Sequence, residues 1–403
     1  VNKRIVKLAA VAFVATSLAF AGCGSRTEST SGSSGSTKVA KIGVIAPLSG
    51  DLSALGLGIR NSVDLAIRQA NDSNAIPGWK LELAAEDDQA TPDVGKNAAT
   101  KLASDDEVVG VVGTLNSSVA QSVTPVLQPA SIVQVSPANT NPTLTKGSDP
   151  ANPKRPYDNY FRTCTTDAVQ GPVAAQYLLG QGIKKVATIN DKKSYGQGLA
   201  EAFAAAFKSG GGTVLAEATI NPDDKDFSAV ITNVKNVSPE AVYYGGEYPQ
   251  AGPLSKQMKA AGLNVPLMGG DGIFDPTYIK LAGDAANGDL ATSVGAPVET
   301  LASAKSFVEA YTKAAFTDPM GAYGAQSYDA ANAIINALKV SLKDATDAKS
   351  ARAATVKAMA SVSFEGATGK VAFDEWGDTV TRVITVYKVA DGKWATEKTL
   401  TAA

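Results

Sequence analysis

The sequence predicts an α/β fold made of two doubly wound parallel-sheet lobes. Short β-branched runs alternate with amphipathic helical runs at the spacing of βα units, which packs as parallel strands with helices on both faces. The alternation comes in two successive series, separated by a passage rich in Pro, Asn and Asp from Thr140 to Tyr160. The length of 403 residues is more than one hydrophobic core usually organises and suits two.

The first series opens with KVAKIGVIAP, a buried strand stopped by Pro47 and Gly50. Ser53 to Asn71 reads as a helix, with Leu57, Val63, Ile67 and Ala70 near one face. The strand WKLELAAED, a helix from Asp93 to Ala103, the strand EVVGVVG, a helix from Ser118 to Gln128 and the strand SIVQVSP complete it. The second series runs helix Ala168–Gly180, strand KKVATIND, helix Ser194–Lys208, strand GTVLAEATI, helix Phe227–Asn236, strand EAVYYGG, helix Tyr248–Ala261 and strand VPLMGG. Helices at 302–315, 327–342 and 351–359 follow, then strands in GKVAFDEWGD and TRVITVYKVADGKW about a Gly turn. This tail is expected to complete the two lobes rather than form a third.

Residues 1–23 read as an export signal, not as structure. Lys3, Arg4 and Lys7 form a positive start, and Leu8 to Phe20 is apolar but short for a membrane span. Phe20-Ala21-Gly22-Cys23 resembles a bacterial lipobox, with Phe20 where Leu is usual, so Cys23 is the expected lipidation site. Residues 24–38 are a Ser/Gly/Thr-rich tether. Attachment to the extracytoplasmic face of the cell membrane through lipid alone is the expectation. From residue 23 onward, 34 basic residues face 39 acidic ones, a net charge of −5.

Composition excludes several function classes. There is no histidine, which removes Ser-His and Cys-His nucleophile pairs and His-based metal sites. Neither a Walker A sequence nor GxSxG occurs, and Gly56-Leu57-Gly58 lacks the third glycine of a dinucleotide fingerprint. With Cys23 lipidated, Cys164 has no partner, so no disulfide framework is expected and Cys164 reads as structural. A formal charge of −2 offers no field for nucleic acid. The expectation is a non-enzyme with no cofactor and no metal, acting as a monomer.

Doubly wound sheets bind ligands at the carboxyl ends of their strands, so the loops there are the candidates. After EVVGVVG come Asn116, Ser117 and Ser118, where a helix begins; free N–H groups there suit a carboxylate, although the serines would equally serve as caps. After SIVQVSP comes the polar loop Ala138-Asn139-Thr140, which is equally consistent with a plain turn. Tyr195 follows KKVATIND, and Asp271 follows VPLMGG, where an acid would suit an ammonium group or form an Asx-turn.

These stretches resemble the leucine/isoleucine/valine-binding protein family, the substrate-binding lipoproteins of branched-chain amino-acid ABC transporters, with the type I periplasmic binding protein fold. The similarity spans about Val39 to Lys388 and rests on KIGVIAPLSG, GTLNSSVAQSVTPVL, VSPANTNPTLT, YFRTCTTDAVQGPVAA, NDKKSYGQGLA, DKDFSAVITNVK, AVYYGGEYPQAGPLSKQMKAAGL and FDEWGD. The resemblance implies that Ser117 and Thr140 bind a ligand carboxylate. It implies that the Ala138 carbonyl and Asp271 meet an ammonium, and that Tyr195 closes from the second lobe. It also implies a membrane permease as partner and a hinge of three crossings near Thr166, Ser293 and Phe373. The lobes would then be residues 39–166 with 294–372, which dock the ligand, and 167–293 with 373–403.

The side-chain pocket departs from the family pattern. Leu55 and Glu247 stand where aromatic residues are expected, Asn116 replaces a cysteine, and Tyr323 retains an aromatic wall. A buried Glu247 without a cation would be costly, so it either meets a polar or cationic ligand group or turns to solvent. The leading expectation is an amino acid, branched-chain or related and with room for a more polar one. A sensory module signalling to a receptor, or a binder of a small amide or other carboxylate, stands as the alternative.

Overall fold

The structure is a computed structural model and describes residues 37–402. The export signal, Cys23 and nearly all of the tether lie outside the described residues.

The first half forms a five-stranded sheet. In chain order its elements are β1 (Lys38–Ala46), α1 (Ser53–Asp72), β2 (Trp79–Asp87), α2 (Pro92–Ser104), β3 (Val108–Gly113), α3 (Ser117–Leu127), β4 (Val133–Ser136), α4 (Thr143–Lys146) and β5 (Tyr160–Arg162). All strands are parallel, in the order β2-β1-β3-β4-β5. The reason lies in the side chains. The last five residues of β1 and all of β3 are buried, so both sheet faces need helical cover. The strand period of two divides them in β1, and a register shift at Val108–Gly110 offsets the alternation in β3. Ile42, Val44, Val109 and Val112 pack with Ile59 and Val63 of α1, whereas Ile45, Val108 and Val111 pack with α2 and α3 through Leu102, Val119 and Val123.

The second half continues with α5 (Asp167–Gly180), β6 (Lys185–Asn190), α6 (Ser194–Ser209), β7 (Thr213–Thr219), α7 (Ser228–Asn236), β8 (Ala241–Gly245), α8 (Tyr248–Ala260), β9 (Leu267–Gly269), α9 (Pro276–Ala282) and β10 (Leu290–Val294). The chain then supplies α10 (Lys305–Lys313), α11 (Gly324–Ser341), α12 (Ala348–Met359), the hairpin β11 (Ser363–Gly366) and β12 (Gly369–Ala372), and finally β13 (Val383–Ala390) and β14 (Lys393–Thr401). The second sheet has the order β14-β13-β10-β9-β8-β6-β7, in which only β13 runs opposite to the other strands and pairs antiparallel with both β10 and β14. Its β8 also alternates: Tyr243 stacks on Phe203 of α6 at 3.7 Å, while Val242 and Tyr244 join the core under α8.

Although α11 and α12 come after β10 in the chain, they lie against the first sheet. Helix α11 packs on α1, β3 and β4, and α12 packs on β3 and β4. The closing hairpin then returns to the second sheet, turning at Asp391-Gly392, both with positive φ, as a tight primed turn requires.

Differences from the sequence reading are confined to short elements. The passage 140–160 was expected to be irregular, yet it holds one helical turn, α4, and leads into β5. Helix α9 and strands β10 and β11 have no counterpart in the reading, because runs as brief as Leu290–Val294 carry too few alternations to declare a period. The described β1 begins at Lys38, the last residue assigned to the tether. Cys164 is a free, buried thiol.

Candidate functional site

Five strand-end loops from the two sheets converge. Gly113 ends β3 with φ of +141°, and a Cβ there would stand 2.2 Å from the Ile45 carbonyl oxygen, so only glycine lets the chain turn from β3 into α3. Asn116 is the N-cap residue, without a capping side-chain bond, and Ser117 is the first residue of α3. The Ser117 hydroxyl is buried and makes no hydrogen bond among the described residues, so it is not used as a cap.

The β4 loop is held by a buried network. Arg162 of β5 is fully buried and pairs with Asp378, Nε to Oδ1, at 2.6 Å. Its Nη1 donates to the carbonyls of Asn139 at 2.8 Å and Asn141 at 2.9 Å, and Nη2 donates to Thr145 Oγ1 at 2.5 Å. The planar guanidinium thus fixes the carbonyls on either side of Thr140. Asn139 ties this loop to its neighbour by donating to the Leu115 carbonyl at 2.9 Å, and it accepts from Tyr160 Oη at 3.0 Å. Ala138 donates its N–H to Ser136 Oγ at 3.2 Å. The Thr140 carbonyl accepts the Asp167 N–H at 2.8 Å, while the Thr140 hydroxyl is buried beside the Asp167 carboxyl and makes no hydrogen bond of good geometry among the described residues.

On the second sheet, Asp271 opens a short turn after β9 and is buried. Its Oδ1 accepts from Gln170 Nε2 and from Tyr195 Oη, each at 2.8 Å, and its Oδ2 accepts from Tyr323 Oη at 2.8 Å. Burial raises the Asp271 pKa, and the bonds from Gln170, Tyr195 and Tyr323 act against that rise. Tyr195 sits on the first turn of α6 rather than in the loop, and its oxygen accepts the Gly272 N–H at 3.0 Å. Tyr323, the N-cap residue of α11, reaches Asp271 across the sheets. Leu55 of α1 is buried and borders Gly321 two residues before Tyr323.

Glu247, the N-cap residue of α8, is 4% exposed, so it does not turn to solvent. Its cation is Lys193, Nζ to Oε2 at 3.0 Å, and its Oε1 accepts from Asn116 Nδ2 at 2.7 Å. Burial works against the Lys193 charge, but Glu247 and Asp191 outweigh it and hold its pKa above the ordinary lysine value. Asp191 donates no such help to itself: burial, then Glu247, pushes its carboxyl up to about 8.

Six residues of this cluster were not read from the sequence: Lys193, Asp191, Gln170, Asp167, Arg162 and Asp378. All of them lie inside stretches that carry the family resemblance: YFRTCTTDAVQGPVAA for Arg162, Asp167 and Gln170, NDKKSYGQGLA for Asp191 and Lys193, and FDEWGD for Asp378. Asp167 is fully buried near Thr140, with both carboxylate oxygens outside hydrogen-bond geometry. Burial pushes its pKa up to about 8; Asp271 adds to the rise, and Thr140 and Arg162 oppose it. Open clefts of about 460 Å³ beside Thr166 and about 570 Å³ beside Trp394 include none of the nine residues expected to bind ligand.

Two doubly wound sheets whose strand-end loops interlock define the type I periplasmic binding protein fold. The chain belongs to the periplasmic binding protein family, whose model matches residues 39–393, and within it to the substrate-binding proteins of branched-chain amino-acid ABC transporters. It is 35% identical to the Leu/Ile/Val-binding protein BraC3 of Rhizobium johnstonii, over 87% of this chain and 92% of that one. It is 32% identical to the leucine-, isoleucine-, valine-, threonine- and alanine-binding protein of Pseudomonas aeruginosa, over 86% of this chain and 89% of that one. Among solved structures it resembles the branched-chain amino-acid transporter substrate-binding protein LivJ of Streptococcus pneumoniae in complex with isoleucine. That match has a TM-score of 0.79 and 27% identity, covering 91% of this chain and 100% of that one.

Proposed function

We propose that this chain is the solute-binding lipoprotein of an ABC importer and that it holds the zwitterionic head of an amino acid, branched-chain or related, between its two sheets. Ser117, Thr140 and the Ala138 carbonyl receive the ligand on the first sheet; Asp271 and Tyr195 close from the second, with Tyr323, Leu55, Asn116 and Glu247 around the side chain. The observation that carries this reading is the pair of buried hydroxyls, Ser117 Oγ and Thr140 Oγ1, neither of which makes a hydrogen bond of good geometry among the described residues. A buried hydroxyl left unpaired costs about 1–3 kcal/mol, and a ligand carboxylate satisfies both. An ammonium beside Asp271 completes a charge-assisted arrangement at both ligand ends.

Entry requires the sheets to part, because these residues are buried among one another. The two halves are residues 39–166 with 294–372 and 167–293 with 373–403, and crossings near Thr166, Ser293 and Phe373 act as the hinge. A ligand bonding both halves favours the closed population, which then docks on a membrane permease. The relatives are named for binding, and a chain without histidine suits binding without turnover.

The test is a thermal-shift screen of the full chain in detergent against amino acids, small amides and carboxylates. At least one amino acid should raise the melting temperature, and its decarboxylated amine should bind about 100-fold more weakly. Equal shifts from acid and amine, or none from any amino acid, would overturn the reading. We further propose that Cys23 carries the lipid anchoring the chain to the extracytoplasmic face of the cell membrane. Mass spectrometry of the processed N-terminus should find a diacylglyceryl-modified Cys23, and a free N-terminus upstream of it would reject the anchor.

A further inference from the structure

Resting on the amino-acid reading above, the site can be asked which side chain it takes. Asn116 immediately precedes Ser117, and in the proposed binding mode it faces the ligand side chain while Ser117 holds the head. A carboxylate only accepts hydrogen bonds, and Glu247 is held by the Lys193 ammonium at 3.0 Å. Asn116 must therefore present its NH₂ to Glu247, as the 2.7 Å contact records. That turns Oδ1 the other way, and this oxygen is buried with no hydrogen-bond partner among the described residues. It is an acceptor with no donor, on a residue 3% exposed.

The charges beside it are already matched. Glu247 and Lys193 offset each other at 3.0 Å, and burial and the Glu247 charge both push the neighbouring Asp191 carboxyl up, toward its uncharged form. A charged ligand side chain would enter this cluster without a counter-charge, which is strongly unfavourable in a buried site. A purely apolar one would leave Asn116 Oδ1 unpaired.

The geometry points to a ligand whose side chain carries an uncharged hydrogen-bond donor, a hydroxyl or a primary amide, received by Asn116 Oδ1 and with Glu247 and Lys193 acting as positioning residues that fix the amide's orientation. Asn116 is thus a specificity-determining residue, and the Glu247–Lys193 pair fills the space that an aromatic wall would otherwise occupy.

The experiment is isothermal titration of the full chain with two nearly isosteric ligands, L-threonine and L-valine, together with L-glutamine, L-leucine, L-glutamate and L-lysine. The expected result is that threonine or glutamine binds at least tenfold more tightly than its apolar counterpart, and that glutamate and lysine bind more weakly than either. Asn116→Leu should erase or reverse that preference while Asn116→Ser keeps part of it. Valine and leucine binding as tightly as threonine and glutamine, or a charged amino acid binding tightest, would overturn this inference and leave the amino-acid reading standing. Unchanged discrimination in a folded Asn116→Leu protein would overturn it too. No binding by any amino acid would overturn both, and the comparison within the unsubstituted chain decides the matter even where a variant fails to fold.

Discussion

Asn116 and Glu247, 131 positions apart, share a 2.7 Å hydrogen bond that joins the end of β3 on one sheet to the end of β8 on the other. Similar ties run alongside it. Asn141 Nδ2 donates to the Ser194 carbonyl at 2.7 Å, and Tyr323 donates to Asp271 at 2.8 Å. Each such bond is made only while the strand-end loops touch, so each contributes to holding the loops of the two sheets together. In the proposed binding mode, a ligand adds to these bonds across the same gap.

Ser117→Ala should separate binding from stability. The hydroxyl makes no hydrogen bond among the described residues, so its loss should leave the melting temperature of the free chain unchanged or slightly higher. The ligand-induced thermal shift should fall, corresponding to a loss of about 1–3 kcal/mol in binding. A lower melting temperature without ligand, combined with an unchanged ligand shift, would show that Ser117 is structural.

Asp167 predicts a pH dependence of stability. Its pKa is about 8 in the folded chain and at the ordinary carboxylate value when unfolded, so the folded state binds the extra proton. Stability from this group is complete below about pH 4. It is lost as pH rises toward the folded value near 8. Asp167→Asn should therefore flatten the fall in melting temperature between pH 5 and about pH 8 and be more stable than the parent at the upper end. Parallel pH profiles for the two proteins would contradict this.

Arg162 predicts a coupled loss of fold and site. Removing it strands buried Asp378 and two carbonyls of the Ala138–Asn141 loop. Breaking a buried pair in this way costs about 3–5 kcal/mol. Arg162→Lys should recover part of the stability but not the loop geometry, because one ammonium cannot donate in a planar fork. Chemical denaturation reads the first effect and ligand titration the second.

Lys193→Met should destabilise the chain by about 1–3 kcal/mol, since it leaves Glu247 buried without its cation while Lys193 itself is partly exposed. Adding Glu247→Gln should restore most of that loss. A double-mutant cycle by urea unfolding measures the coupling, and additive effects would mean the pair does not interact.

Much of the fold was legible because its signals are local. The buried runs of β1 and β3 and the apolar stripe of α1 announce themselves by composition and period, and the Gly, Pro and Asn punctuation marks the strand ends. Strand-end position alone selected the loops of Ser117, Thr140, Tyr195 and Asp271, which the structure gathers into one region. Glu247 marks where local reasoning stopped. From the sequence it had to meet a ligand or turn to solvent, whereas it meets Lys193, 54 positions away, whose loop is brought beside it by the adjacency of β6 and β8.

By itself the sequence determined the order and type of the main elements, the α/β class and the loops at which chemistry is possible, because helix and strand periods are written over a few residues at a time. Tertiary structure alone decided which hydroxyls stay unpaired, which acid finds a base and which way the Asn116 amide faces. Those outcomes depend on distances between loops of separate sheets, and no local period encodes how two sheets come together.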